Sequence, residues 1–273
     1  MLEAIGGLVI GLCLGLLGSG GSILTVPILV YLLGHDPKVA IAESLAIVGG
    51  IALVACIGPV IRKRIDWSSV VFFGIPAIFG TLGGVWVSQF MTGDLQLGIF
   101  AVVMLVAAIL MFRSGSSPED PQGRRTRRDA ILAVFEGVLV GVVTGIVGVG
   151  GGFLMVPALV LLGRVPMRVA IGTSLVIITM KSIVGFLKNW DQLAGAEEEI
   201  SGATIALFIG FGVVGSIVGA RLGGRLPQEL LRRLFAGFLV VVGIVILIAS
   251  GPGMIASAAP SSKEGAADAA IVE

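Results

Sequence analysis

GLLGSGGSILTVPILV (Gly15–Val30) and GIVGVGGGFLMVPALV (Gly145–Val160) are two copies of one pattern, 130 residues apart. In each, an apolar arm runs into a cluster of glycines and a second short apolar arm carrying Val-Pro follows. The alignment extends without a gap from Gly11–Leu45 to Gly141–Leu175, where 16 of 35 positions are identical, well above what so biased a composition gives by chance. Further along the offset becomes 135, pairing Gly80 with Gly215, Gly84 with Gly219 and Phe100 with Phe235. The chain is a duplication, and whatever the glycine cluster does is done twice.

Around this pattern the composition allows one environment. Of 273 residues, 56% are hydrophobic and only 13% charged, about half the charge of a soluble domain. The net charge of +1 excludes the basic excess that nucleic-acid binding needs. Apolar stretches fall at roughly 4–33, 40–61, 68–91, 95–112, 131–162, 168–189, 201–223 and 229–250. The expected architecture is an all-α polytopic membrane protein of two inverted four-segment repeats, each opening with a glycine-tipped re-entrant or broken helix. Repeat 1 covers 1–112 and repeat 2 covers 131–250, joined by a basic linker at 113–130 and followed by a small, polar tail at 251–273 that reads as disordered. No basic region precedes the first apolar stretch, so a cleaved signal peptide is not expected.

Topology follows from the basic residues. If all eight segments cross, Lys and Arg split 10 to 7 between the sides. If the first segment of each half dips in and returns, the split is 14 to 3, with Lys181 left inside the membrane. The positive-inside bias selects the second arrangement, with both termini outside and the basic loops cytoplasmic. Arm length agrees for the first copy: Ala4–Leu17 and Ser22–Leu33 are 14 and 12 residues, about 21 and 18 Å as helices. A single broken, tilted helix that crosses is the rival.

Non-helical backbone at membrane depth needs protein or a watery cavity around it. A helix start there offers free N–H groups and partial positive charge to an anion. Candidate substrate-binding residues are therefore Gly18, Ser19, Gly20, Gly21 and Ser22 in one tip and Gly148, Gly150, Gly151 and Gly152 in the other. Close helix packing is the alternative use of such glycines, and it accounts for Gly80, Gly84, Gly215 and Gly219. Ser44, Thr173 and Ser174 follow the tips; their hydroxyls either donate to an oxyanion or cap their own helices. Lys181 lies mid-segment, where a cation is costly and usually functional. It offsets substrate charge, pairs with Glu43, or snorkels outward. Glu43 stands where the other repeat has Thr173 and is a candidate for carrying a coupled proton. Glu136 reads as an interfacial partner of the RRTRR cluster, and His35 as a loop residue. Trp67, Trp86 and Trp190 fall near segment ends. Neither the two cysteines nor any other set has metal-ligand or catalytic spacing, so no metal, cofactor or enzymatic role is expected.

At GIVGVGGGFLMVPALV and VAIGTSL (Val169–Leu175), with weaker copies GLLGSGGSILTVPILV and VAIAESL (Val39–Leu45), the chain resembles the sulfite exporter TauE/SafE family. The resemblance runs over about residues 4–250. It implies export of a small sulfur oxyanion, sulfite or a sulfonate such as sulfoacetate, across the bacterial inner membrane. The first copy departs from the pattern. Ser19 and Ser22 stand against Val149 and Gly152, and Ala42-Glu43 against Gly172-Thr173, which implies an asymmetric site and leaves the cargo open. The expected function is a secondary transporter with a small oxyanion and the bilayer as partners, working by alternating access. A passive anion channel and a non-transporting scaffold are the alternatives, and the oligomeric state is open.

Overall fold

The computed structural model describes residues 2–35, 37–88, 90–91, 93–113, 127–147, 152–193 and 202–258. All regular structure among them is helical. Helix α1 (Leu2–Leu17) ends where Gly18 turns left-handed at φ +80°, its N–H donated back to Leu14 O at 2.8 Å. Glycine ends a helix this way because it has no Cβ to clash. Helix α2 (Gly20–Pro27) starts two residues before the Ser22 expected from sequence, then widens into a π-turn over Ile28–Leu32. Its direction is fixed by packing. A Cβ on Gly21 would stand 2.5 Å from Ile10 O, and one on Gly6 3.1 Å from Ile28 Cγ2. So α2 returns antiparallel along α1, and the first glycine cluster is the tip of a hairpin.

Gly34, also left-handed at φ +74°, leads to α3 (Pro37–Ala55). Pro59 has no N–H to give to Ala55, and α3 breaks at Cys56 before the short α4 (Ile57–Ile61). Asp66 then caps α5 (Trp67–Ser69), accepting from Ser69 N at 3.3 Å. A second π-turn, Val70–Gly74, leads into α6 (Ile75–Ser88). Both π-turns adjoin a proline, Pro27 and Pro76, where the regular ladder lacks a donor. Helix α7 (Gly93–Arg113) closes the first half.

The second half repeats the order with α8 (Arg127–Val147), a 3₁₀ turn Gly152–Leu154, and α9 (Met155–Leu161). Then come α10 (Met167–Leu193), α11 (Gly202–Arg225) and α12 (Gln228–Ala258). Arg164 adopts φ +51° at the position equivalent to Gly34, so the turn after each hairpin keeps its geometry even without glycine. The opening segments of the two halves are not equal, however. Helix α8 has 21 residues against 16 in α1, long and apolar enough to span a membrane over Asp129–Ile146. Helix α12 runs eight residues past 250; the rest of the tail, 259–273, and the linker at 114–126 lie outside the described residues. So do the Arg124 and Arg125 partners expected for Glu136.

Six segments among the described residues are long and apolar enough to cross a bilayer: 43–61, 67–88, 129–146, 167–187, 202–225 and 228–248. Large apolar side chains such as Ile61, Phe79, Phe135 and Ile248 are exposed around the outside, as lipid contact requires. Trp67 and Trp86, exposed at opposite ends of one span, fit the two interfacial belts.

Packing ties the halves together by exchange. Helix α1 lies on α11 of the other half, with Gly7 against Phe208, Gly11 against Gly212 and Gly15 against Ser216. Helix α8 lies on α6, with Gly137 against Phe73, Gly141 against Ala77 and Gly145 against Thr81. Each contact is the repeat equivalent of another, at offsets of 130 and 135. Gly80, Gly84, Gly215 and Gly219 sit in these same seams, each with a partner's carbonyl within 2.3 Å of its missing Cβ. Within each seam the helices run parallel. The equivalent helices α3 and α10 instead run antiparallel, Gly49 meeting Ser182 and Gly185 meeting Leu45. Helix α10 is the most enclosed of the six spans, with 56% of its window buried against 28–33% in the others.

Candidate functional site

The first tip docks onto the second half beside residues 171–178 of α10. Ser19 Oγ donates to Phe153 O at 3.4 Å, and a Cβ on Gly152 would stand 2.8 Å from Ser22 Oγ. Ser174 Oγ donates to Ile171 O at 2.8 Å and reaches Gly18 O at 3.2 Å. Gly18 itself has Ile171 Cα 2.8 Å from its missing Cβ. Five of the expected residues, Gly18, Ser19, Ser22, Gly152 and Ser174, are thus gathered in one buried cluster. Gly20 and Gly21 complete the tip, and no side chain caps the start of α2. Its first-turn N–H groups point along the helix axis without an intrahelical partner. Gly148, Gly150 and Gly151 lie outside the described residues.

Close packing is as real at these tips as along the seams. Gly21 is forced by α1, Gly18 by α10 and by its φ, and Gly152 by Ser22. Ser22 Oγ also donates to Ser19 O at 2.8 Å, so the tip hydroxyls hold backbone carbonyls in this conformation.

The remaining residues separate from the cluster. Thr173 Oγ1 accepts from Asp66 N at 3.0 Å and fastens the 62–66 turn to α10, while a Cβ on Gly172 would stand 2.4 Å from Arg64 O. Replacing Thr173 by Val removes that acceptor at nearly constant volume. It should cost about 1–2 kcal/mol, read as a lower melting temperature with faster amide exchange confined to the 62–66 turn; unchanged exchange there would refute the tie.

Lys181 is seven residues beyond Ser174, about 10 Å along α10. It is 7% exposed, and its Nζ donates to Thr144 Oγ1 at 3.2 Å. Thr144 is in turn 3.4 Å from Thr81 Oγ1. The expected pairing of Lys181 with Glu43 does not form. Glu43, fully buried, is instead 2.6 Å from His35 Nδ1, because the left-handed turn at Gly34 folds the loop histidine back over α3. Ser44 is buried beside it at the position equivalent to Ser174.

What sequence reasoning missed is a chamber. About 240 Å³ opens between α1, α3, α10 and α11 at the end of the bundle that holds the 62–66 and 226–227 turns. Arg62, Arg64, Arg168 and Arg221 line it above an apolar wall. Sequence spoke of these arginines only as topology markers, since three separate segments supply them. Its inner end reaches Gly15, Ser216 and Ile171, the residue on which the tip Gly18 rests.

The sequence matches the model of the family described as "Sulfite exporter TauE/SafE" over residues 3–246. The chain belongs to the sulfite exporter TauE/SafE family. Among similar proteins, a probable membrane transporter protein of Xylella fastidiosa is 32% identical over 256 residues, covering 92% of this chain and 95% of that one. Probable membrane transporter protein YunE of Bacillus subtilis is 29% identical over 269 residues, covering 90% and 93%. A third, from Methanocaldococcus jannaschii, is 25% identical over 254 residues, covering 89% and 93%. No solved structure matches the chain. Family membership and six apolar spans make this a multi-pass membrane protein of a transporter family.

Proposed function

We propose that the chain exports a small sulfur-containing anion, sulfite or an organosulfonate, across the bacterial inner membrane by alternating access. The observation that carries this reading is the broken-helix tip of one half seated on the other, at Ser19–Phe153 and Ser22–Gly152. Uncapped helix starts with glycine at the approach suit an oxyanion, and their place at the junction of two repeats is where carriers bind cargo. Cargo binding is assigned to residues 18–22 with Gly152 and Ser174, which meet in one cluster; Ser44 and Lys181 are assigned to the route beyond it, and Glu43 is the group for a coupled proton. Family membership supports the choice of cargo.

The antiparallel packing of α3 on α10 supports inverted repeats, related by an axis in the membrane plane. With the arginine-rich end cytoplasmic, the positive-inside bias is met. Export of an anion then runs with the membrane potential, at about 2.3 kcal/mol per charge per 100 mV. The close packing of the tip on α10, where Gly18 has no room for a Cβ against Ile171, supports a carrier over an open channel.

Uptake of labelled sulfite into proteoliposomes tests this. A carrier gives saturable uptake and counterflow, accelerated by unlabelled anion on the far side. Gly18→Ala, which puts a Cβ against Ile171 and strains φ, should reduce uptake between about fivefold and a hundredfold, taking about 1–3 kcal/mol for the strain. Uptake without saturation or counterflow means a channel, and none with any sulfur anion means a scaffold.

A further inference from the structure

We propose that the arginine-lined chamber is a second anion site, which loads the cargo from the cytoplasmic end before it reaches the glycine tip. This rests on the reading of the chain as an anion carrier. Four guanidinium-bearing residues from three segments converge there, and no Asp or Glu is among the lining residues. Such a one-signed concave surface concentrates anions and steers them inward. The two ends are not copies: the repeat offset of 135 places Trp86 at the position equivalent to Arg221, while the offset of 130 places Lys38 at the position equivalent to Arg168.

Arg168 gives the chamber a defined binding geometry. Its Nη2 donates to Leu226 O at 2.7 Å, which holds the guanidinium plane in place. Its Nε is buried and has no hydrogen-bond partner. A buried N–H left unpaired is costly, and an oxyanion in the chamber is the acceptor it lacks. Arg62 reaches across from the 62–66 turn, its Nη1 3.9 Å from the missing Cβ of Gly224 on α11. Both side chains line the chamber and reach toward the 224–226 segment, and paired guanidinium groups suit forked recognition of a sulfonate or sulfite. The chamber's volume is about 240 Å³. It takes a small oxyanion with part of its hydration shell, or a sulfonate whose carbon body lies on Ile171, Leu175 and Ile217. The inner end abuts Ile171, the residue on which Gly18 rests, so the chamber leads to the tip.

Binding and transport together test the proposal. Affinity of the full chain for sulfite and for sulfoacetate is measured by calorimetry in nanodiscs of phosphatidylcholine, and uptake in proteoliposomes. Arg168→Gln and Arg168→Lys should each weaken anion affinity about tenfold or more, the lysine keeping charge but losing the fork. Arg62→Gln, on an exposed residue at the chamber mouth, should weaken it severalfold and keep the test decisive should Arg168→Gln fail to fold. The maximal counterflow rate at saturating anion should change less than the half-saturating concentration, since the tip remains intact. Saturable transport by the parent with equal affinity in Arg168→Gln and Arg62→Gln overturns the chamber site and leaves the carrier reading standing. Absence of both binding and transport in the parent overturns both. If sulfite and sulfoacetate do not bind but phosphatidylglycerol added to the nanodiscs occupies the same arginines, the chamber is a lipid-headgroup site and the proposal fails.

Discussion

A single methyl group at Gly11 is expected to prevent assembly of the protein. Its Cβ would stand 1.9 Å from Gly212 O and 2.7 Å from Gly212 Cα, well inside the 3.0 Å that real Cβ atoms keep. The obstacle is backbone on both helices, so no rotamer change relieves it and α1 must move away from α11 along the whole seam. Overpacking of this kind costs about 3 kcal/mol or more. That is a large share of the roughly 5–15 kcal/mol that holds a folded protein together. Gly141→Ala, whose Cβ would meet Ala77 O at 2.3 Å, should fail in the same way through the other seam. Gly83→Ala and Gly210→Ala, with nothing within 4 Å, should be neutral or stabilise by up to about 1 kcal/mol. Melting followed by size-exclusion chromatography in detergent separates the two classes. A Gly11→Ala protein that melts with its parent would show that the seam is not tight.

Lys181→Ile is expected to divide stability from transport. The repeat places Ile51 at the equivalent position, fully buried beside the α1–α11 seam, so an isoleucine at 181 restores the packing its twin already has. Lys181 itself has the Thr144 hydroxyl as a partner and no ion pair among the described residues. Removing an uncompensated buried cation should raise stability by at least about 1 kcal/mol. Loss of a charge-assisted contact to a passing anion should cost up to about a hundredfold in transport. A more stable protein that carries sulfite as fast as its parent would assign Lys181 to the fold alone. A less stable one that no longer transports would make it a structural residue with an indirect effect.

The duplication was legible because the seam glycines and the Val-Pro elements recur at fixed offsets, and each seam contact obeys those offsets. The first hairpin was legible from the length of its arms. The longer α8 was not, because its added turns lie next to the basic linker, where hydropathy falls before the helix ends. The use of the tip glycines was legible only in part. Gly18 needs its φ and Gly21 its close approach to Ile10, and neither demand appears in a count of glycines. The His35–Glu43 contact depends on the left-handed turn at Gly34, and the arginine chamber on how α10 and α11 approach the 62–66 turn. Both are long-range packing outcomes that no local pattern encodes.

The exchange of first helices between the halves bears on how such a protein arises. A chain of one half alone would have a hairpin arm with no seam to enter and a seam with no arm to receive. Two separate copies, each lending its arm to the other, rebuild both, so the ancestral unit is naturally an entwined pair rather than a monomer. In such a pair every substitution appears twice. Fusion into one chain is what permits a lysine at 181 where its repeat equivalent is an isoleucine at 51, and a tryptophan at 86 where the other half has Arg221, so that the two ends of the bundle differ.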